Sequence, residues 1–231
     1  MNRPVLTIFA GINGAGKSTI YDKMNEKLGI RINPDEIAKE LGDFNDPKIQ
    51  RKAGKLALEL INYCKENNLS FNQETVLAGK QPLNLMKDLK EQGYRIDLYY
   101  VGLNNKELAV ERVKFRVEAG GHNINEDLIR KRYDKSLENL PTAINLSDNA
   151  KVYDNSNFGS PKLLMIMKDK EIIYKDNELP NWFEKEFNKY LNEFKDKNEK
   201  FSIRDKLKSI KENKKNNIKE NDKSKDRNFE R

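Results

Sequence analysis

The sequence predicts an α/β protein in which a parallel sheet carries helices on both faces. Three observations predict it. Strand-like runs alternate with amphipathic helical stretches from Val5 to Asn155. The first run, Val5-Leu6-Thr7-Ile8-Phe9-Ala10, is continuously apolar, as expected of a strand buried on both faces. A glycine-rich turn then joins that run directly to a helix.

Taken in order, residues 5–10 form the first strand, and a helix runs from about Lys17 to Lys27. Arg31-Ile32-Asn33 reads as a short second strand, and Pro34 suits the first position of a helix reaching Leu41. Asp46-Pro47 opens a longer helix to about Asn67, with Ala53, Leu56, Ala57, Leu60 and Ile61 along one face. Leu69–Glu74 is a third strand, about Pro82–Gln92 a helix, and Tyr94–Val101 a central strand. Helices at about Lys106–Ala119 and Asn125–Asn139 flank Gly120-Gly121. A strand at 151–155 and a terminal hairpin follow, Leu163–Met167 and Glu171–Tyr174 turning at Asp169-Lys170.

These elements give a domain over residues 1–180. After Pro180 an amphipathic helix (181–198) carries Trp182, Phe183, Phe187, Tyr190, Leu191 and Phe194, a stripe suited to core packing. Residues 199–231 are rich in Lys, Asn and Glu and are expected to be disordered. The net charge is +7, yet residues 201–231 hold 11 Lys/Arg against 6 Asp/Glu, which leaves +2 for residues 1–200. The basic character belongs to the tail, so the folded part shows no electrostatic footprint for nucleic acid. A single Cys, Cys64, excludes a disulfide framework, and no stretch approaches the ~20 apolar residues of a bilayer span. The chain reads as cytoplasmic, with no membrane partner.

Gly11-Ile12-Asn13-Gly14-Ala15-Gly16-Lys17-Ser18, followed by Thr19, satisfies G-x-x-x-x-G-K-[ST] at every defined position. Glycines let the backbone curl until several N–H groups face one anion, and the following helix adds the positive end of its dipole. Lys17 then reaches the β- and γ-phosphates, and the Ser18 hydroxyl is placed to hold Mg²⁺. The bound ligand is a nucleoside triphosphate, ATP with Mg²⁺. The guanine-reading Asn/Thr-Lys-x-Asp is absent, Asn105-Lys106-Glu107 being a poor echo, and the Leu-Ser-Gly-Gly-Gln of transporter ATPases is absent too. A small-molecule kinase is the economical reading.

Two acidic positions close predicted strands, where ligands of open parallel sheets gather. Asp35 either deprotonates a hydroxyl attacking the γ-phosphate or serves the helix N-terminus it begins. Glu74, with Thr75 beside it, either meets substrate hydroxyls or Mg²⁺, or is an exposed strand end. Arg112 and Arg116 share one helix face; Arg130 and Arg132 lie across Gly120-Gly121-His122-Asn123. Arginines so placed can form a lid over the charge that develops in phosphoryl transfer. His122, the sole histidine, is better suited to shaping that turn than to acid–base work.

Together these segments resemble the zeta-toxin family of P-loop kinases, particularly its branch described as predicted ABC-type ATPases. The resemblance covers about residues 4–175 and rests on Gly11–Thr19, Asn33–Ala38, Glu74–Gly79 and Val117–Ile124, with 130–133, 136–140 and Tyr153–Ser156. It implies a nucleotide-kinase-like α/β fold, phosphorylation of a hydroxyl of UDP-N-acetylglucosamine, and neutralisation by a protein antitoxin. It also implies Asp35 as base, Arg116 and Arg132 as ATP-clamping arginines, and Glu74, Thr75 and His122 at the substrate. Glu74-Thr75 departs from the family's acidic-Gly-Thr motif by lacking the glycine. Two other readings compete: an enzyme or binder of nucleic acid guided by the basic tail, and a nucleotide-dependent interaction module.

Overall fold

The structure, a computed structural model, describes residues 3–24, 28–121, 123–157 and 159–195. The tail expected at 199–231 and the role given to His122 lie outside the described residues.

The strands are β1 (Val5–Ala10), β2 (Ile30–Ile32), β3 (Phe71–Thr75), β4 (Arg95–Gly102), β5 (Asn149–Asp154), β6 (Lys162–Lys168) and β7 (Glu171–Lys175). They form one sheet in the order β2-β3-β1-β4-β5-β6-β7. The first five are mutually parallel, and β6 and β7 add antiparallel. Asp169 and Lys170 join that last pair at φ 49° and 72°, the left-handed geometry of a two-residue hairpin turn. The edge strand β7 carries a bulge opposite Ile166/Met167, a feature that discourages edge-to-edge pairing.

The helices are α1 (Lys17–Asp22), α2 (Pro34–Leu41), α3 (Pro47–Glu66), α4 (Lys80–Glu91), α5 (Lys106–Glu118), α6 (Glu126–Leu146) and α7 (Asn181–Tyr190). Pro34 and Pro47 open α2 and α3, whose caps are the side chains of Asn33 and Asp46. Two expectations shift. In α3 the buried face is Ala53, Ala57, Ile61 and Cys64, while Leu60, on the rim of that face beside Ala53, is exposed. The helix beginning after Asn125 does not stop at Asn139 but continues to Leu146, carrying a buried Pro141.

The strand period of two separates the faces of β4. Tyr99 points toward β1, its ring stacked 5.2 Å from Phe9; Phe9 and Val101 share a core with Ile20 of α1, Val110 and Val113 of α5, and Ile129 and Tyr133 of α6. Tyr100 and Gly102 face the other way. A Cβ on Gly102 would sit 2.2 Å from the Trp182 indole of α7, so the strand needs glycine there for the helix to dock. Trp182, Phe183 and Phe187 are buried, in keeping with core packing of that stripe.

The chain divides into two compact units, 1–187 and 188–231. The second is described as far as Lys195, through the end of α7 and one π-helical turn, Leu191–Lys195. Tyr190 and Phe194 pair within it at 6.3 Å.

Candidate active site

Because β1 to β5 run parallel, their carboxyl ends share one edge of the sheet. That edge gathers the glycine turn after β1, Asn33-Pro34-Asp35 after β2, Glu74-Thr75 at the end of β3, and Asn155 after β5. A cleft of about 1760 Å³ opens there, and Lys17, Ser18, Asp35, Glu74, Arg116 and Arg132 all line it.

The turn is anchored at both ends. Gly11 N–H donates to Thr75 O at 3.2 Å, and Asn155 Nδ2 donates to Ala15 O at 2.8 Å. At φ 137°, Gly11 lies where an added Cβ would meet Val101 O at 2.1 Å; no other residue fits between β1 and β4. Gly16 precedes α1 in a left-handed conformation and offers no side-chain cap, so the first N–H groups of the helix stay free of one.

Lys17 is 7% exposed, and its Nζ donates to Ile12 O at 3.1 Å. Glu74 Oε1 lies 3.8 Å away. Burial pulls the Lys17 ammonium below its ordinary value of 10.5, Glu74 and Asp35 oppose that shift, and Arg116 adds to it. The Ser18 hydroxyl donates to the Glu74 carboxylate, at 3.0 Å to Oε2 and 3.2 Å to Oε1. Glu74 is therefore not an exposed strand end: its side chain is 15% exposed and faces the phosphate loop. Thr75 Oγ1 accepts from Leu77 N–H at 3.1 Å, which shapes the bend after β3.

Capping of α2 falls to Asn33, whose Oδ1 accepts from the Asp35 N–H at 3.0 Å. Among the described residues the Asp35 carboxylate makes no hydrogen bond or ion pair and stands exposed in the cleft. The arginines separate by use. Arg130 is committed to Glu107 at 2.9 Å, Glu126 at 3.1 Å and Asp127 at 3.2 Å. Arg112 donates to Ser156 O at 3.0 Å; burial lowers its guanidinium's affinity for the proton and Asp154 opposes that. Arg116 and Arg132 turn into the cleft.

The residues fit a hard divalent cation. Ser18 and Glu74 present oxygen donors, the class that Mg²⁺ prefers. Ser18 Oγ and Glu74 Oε2 are 3.0 Å apart. Among the described residues no three His, Cys, Asp or Glu side chains converge as a metal cluster, so a cation held here takes its other ligands from phosphate and water.

The Zeta toxin family model matches residues 1–175. The chain belongs to the zeta toxin family. An uncharacterized protein of Haemophilus influenzae is 34% identical over 125 residues, 54% of this chain and 89% of that one. The complex AvrRxo1-ORF1:-ORF2 with ATP superposes with a TM-score of 0.59 at 15% identity, over 79% of this chain and 63% of its counterpart; the chain thus spans less than two thirds of that protein. The PezAT chromosomal toxin–antitoxin system of Streptococcus pneumoniae superposes with a TM-score of 0.55 at 16% identity, over 79% and 76%. These likenesses show the fold.

Sequence reasoning missed two members of this zeta toxin site. Arg31 bridges Glu36 and Glu74; its signal was a charged residue inside the short strand Ile30-Arg31-Ile32. Asn155 holds the phosphate loop, and nothing in the residues around it pointed to Ala15, 140 positions earlier. Among the described residues no helix is long and apolar enough to cross a membrane.

Proposed function

We propose that this chain transfers the γ-phosphoryl group of ATP to a hydroxyl of a small molecule, with Mg²⁺ as cofactor. One observation carries the reading: a single cleft is lined by Lys17, Ser18, Asp35, Glu74, Arg116 and Arg132. The glycine turn from Gly11 through Asn13, Gly14, Ala15 and Gly16 offers its backbone N–H groups to the β- and γ-phosphates, with Ser18 and Thr19 opening the helix beneath them. Ser18 and Glu74 would hold Mg²⁺, which when bound would neutralise charge on the phosphates. Asp35 takes the proton of the acceptor hydroxyl as its oxygen bonds to the γ-phosphorus, and the bond to the β–γ bridging oxygen breaks to release ADP. Lys17, Arg116 and Arg132 stabilise the negative charge spread over the transferring group.

The acceptor of this reading is a nucleotide sugar, UDP-N-acetylglucosamine by resemblance to better-known zeta toxins, and the same resemblance assigns Glu74, Thr75 and His122 to it. The Glu74 carboxylate meets Ser18 and Lys17, which supports a cation-holding role for it in this reading. The partner is a protein antitoxin, as in the PezAT toxin–antitoxin system. Both substrates are cytoplasmic metabolites, and there we place the reaction. Residues 1–180 are the catalytic domain in this reading, with the helix at 181–198 and the tail at 199–231 as appendages outside the chemistry.

Purified protein with ATP and Mg²⁺ should be offered nucleotide sugars, nucleosides and cofactors, and the products weighed by mass spectrometry. A product heavier by one phosphate is expected for a nucleotide sugar. Asp35→Ala should form none while still binding ATP. Full turnover in that variant removes Asp35 as the base, and no phosphorylated product from any acceptor sinks the kinase reading.

A further inference from the structure

Arg31 is the second residue of β2, where its register partner on β3 is Asn72. Glu74 lies two residues further along β3 and so on the same face. The arginine side chain spans that step: one terminal nitrogen donates to Asn72 Oδ1 at 3.3 Å and the other to Glu74 Oε2 at 3.2 Å. On its other side, Nε and the second terminal nitrogen grip Glu36 of α2 at 2.9 and 2.6 Å. Beneath lies the ring of Tyr21 from α1, 3.7 Å from the guanidinium carbon, and Tyr21 in turn packs edge-on against Phe9 at 5.3 Å.

The bonds continue to the turn that carries Asp35. Glu36 Oε1 accepts from Asn33 Nδ2 at 3.0 Å, and Asn33 Oδ1 accepts from the Asp35 N–H at 3.0 Å. A continuous polar path therefore runs Glu74, Arg31, Glu36, Asn33, Asp35. We propose that Arg31 is the positioning residue of the site, fixing the Glu74 carboxylate against Ser18 and tying it to the Asp35 turn.

The inference rests on reading Ser18 and Glu74 as the cation-holding pair. Glu74 has few other restraints: the Lys17 ammonium stands 3.8 Å off, and the Ser18 hydroxyl turns with whatever it bonds. Arg31 supplies the rigid member, since its donors form a planar fork that cannot rotate among partners as an ammonium does. At 16% side-chain exposure, over an aromatic ring, it is held in place itself. It is not among the residues lining the cleft and acts through Glu74.

The test measures ATP affinity of the full chain by titration calorimetry with and without Mg²⁺; the ratio is the magnesium gain. Arg31→Gln should lower that gain by about tenfold or more, the usual loss when a residue supporting a metal ligand is removed. Affinity for ATP without Mg²⁺, set by the glycine turn, should hold. Arg31→Lys, which keeps the charge and loses the fork, should resemble Arg31→Gln; recovery of the wild-type gain overturns the proposal in favour of simple charge. An Arg31→Gln protein with the wild-type gain also overturns it. Wild-type protein that binds ATP equally with and without Mg²⁺ overturns instead the reading of Ser18 and Glu74, and the proposal with it. Should the Arg31 variants not fold, Glu36→Ala, which removes the acceptors that tie the fork to α2, decides: an unchanged gain refutes the positioning role.

Discussion

Replacing Lys17 by methionine should make the ligand-free protein more stable while weakening its hold on ATP. The ammonium is 7% exposed, with a hydrogen bond to Ile12 O at 3.1 Å and a carboxylate at 3.8 Å. Burial dominates its electrostatics, as the lowered proton affinity shows. Removing it does not orphan Glu74, which keeps Ser18 at 3.0 Å and Arg31 at 3.2 Å. Replacing buried charge by an apolar side chain of similar length is often stabilising by about 1–4 kcal/mol. With Glu74 losing one partner, the lower half of that range applies, roughly 1–2 kcal/mol, or about 2–8 °C in Tm for a domain of this size. The same variant loses at least one charge-assisted contact to phosphate, about 1.5–3 kcal/mol or roughly 10- to 100-fold in affinity. Thermal unfolding with and without ATP and Mg²⁺ reads both effects, because a ligand stabilises by RT ln(1 + [L]/Kd). A ligand-free Tm below wild type would refute the reasoning: Lys17 would then be a structural tie between loop and strand.

Three further outcomes are expected. Since the ligand-free fold holds Lys17 below its unfolded value of 10.5, the unfolded chain binds more protons between the two values, and the Lys17 contribution makes stability rise with pH across that window; ATP affinity should fall across it, and calorimetry against pH should show both trends vanish in Lys17→Met. Trp182→Ala empties the seat over Gly102 and beside Tyr100, with ring centroids 6.1 Å apart, and should cost about 3–5 kcal/mol by urea unfolding; a loss below about 1 kcal/mol argues that α7 is not docked on the sheet. Arg116→Ala should lower the rate of phosphate transfer while Arg130→Ala leaves it near wild type, because Arg130 spends its donors on Glu107, Glu126 and Asp127; equal losses would show that the cleft-lining distinction carries no function.

What the sequence revealed follows the range of the interactions involved. The phosphate loop was legible at every position because strand, turn and helix are consecutive and each residue type answers a local backbone or phosphate demand. The start of α2 was legible for the same reason, although Asp35 read alone left capping and catalysis open. In the structure the cap is Asn33. Glu74 was visible as an odd charge at a strand end, but its partners Ser18 and Arg31 are 56 and 43 residues away. No periodicity reports contacts made by a sheet that reorders strands as β2-β3-β1. The extent of α6 was missed where tertiary burial of Leu140, Pro141, Ala143 and Ile144 carries the helix past a residue that lacks its own N–H donor.

The lid expected around Gly120-Gly121 takes a more definite form. Val110 and Val113 of α5 share a core with Ile129 and Tyr133 of α6 and with Phe9 of β1, and the Tyr133 hydroxyl donates to Leu103 O at 2.8 Å. Ion pairs Lys114–Glu126 at 2.8 Å, Lys106–Asp134 at 3.5 Å and Arg130–Glu107 at 2.9 Å join the two helices at the surface. Such exposed pairs contribute little each, so the shared apolar core is what locks the helices to one another. The Gly120-Gly121 turn therefore cannot open α5 against α6 without breaking that core. Any large closure has to carry both helices together, and with them Arg116 and Arg132, which line the cleft. Helices locked to one another suit phosphoryl transfer, because the scaffold that aims arginines at developing charge then stays in place and little reorganisation is needed.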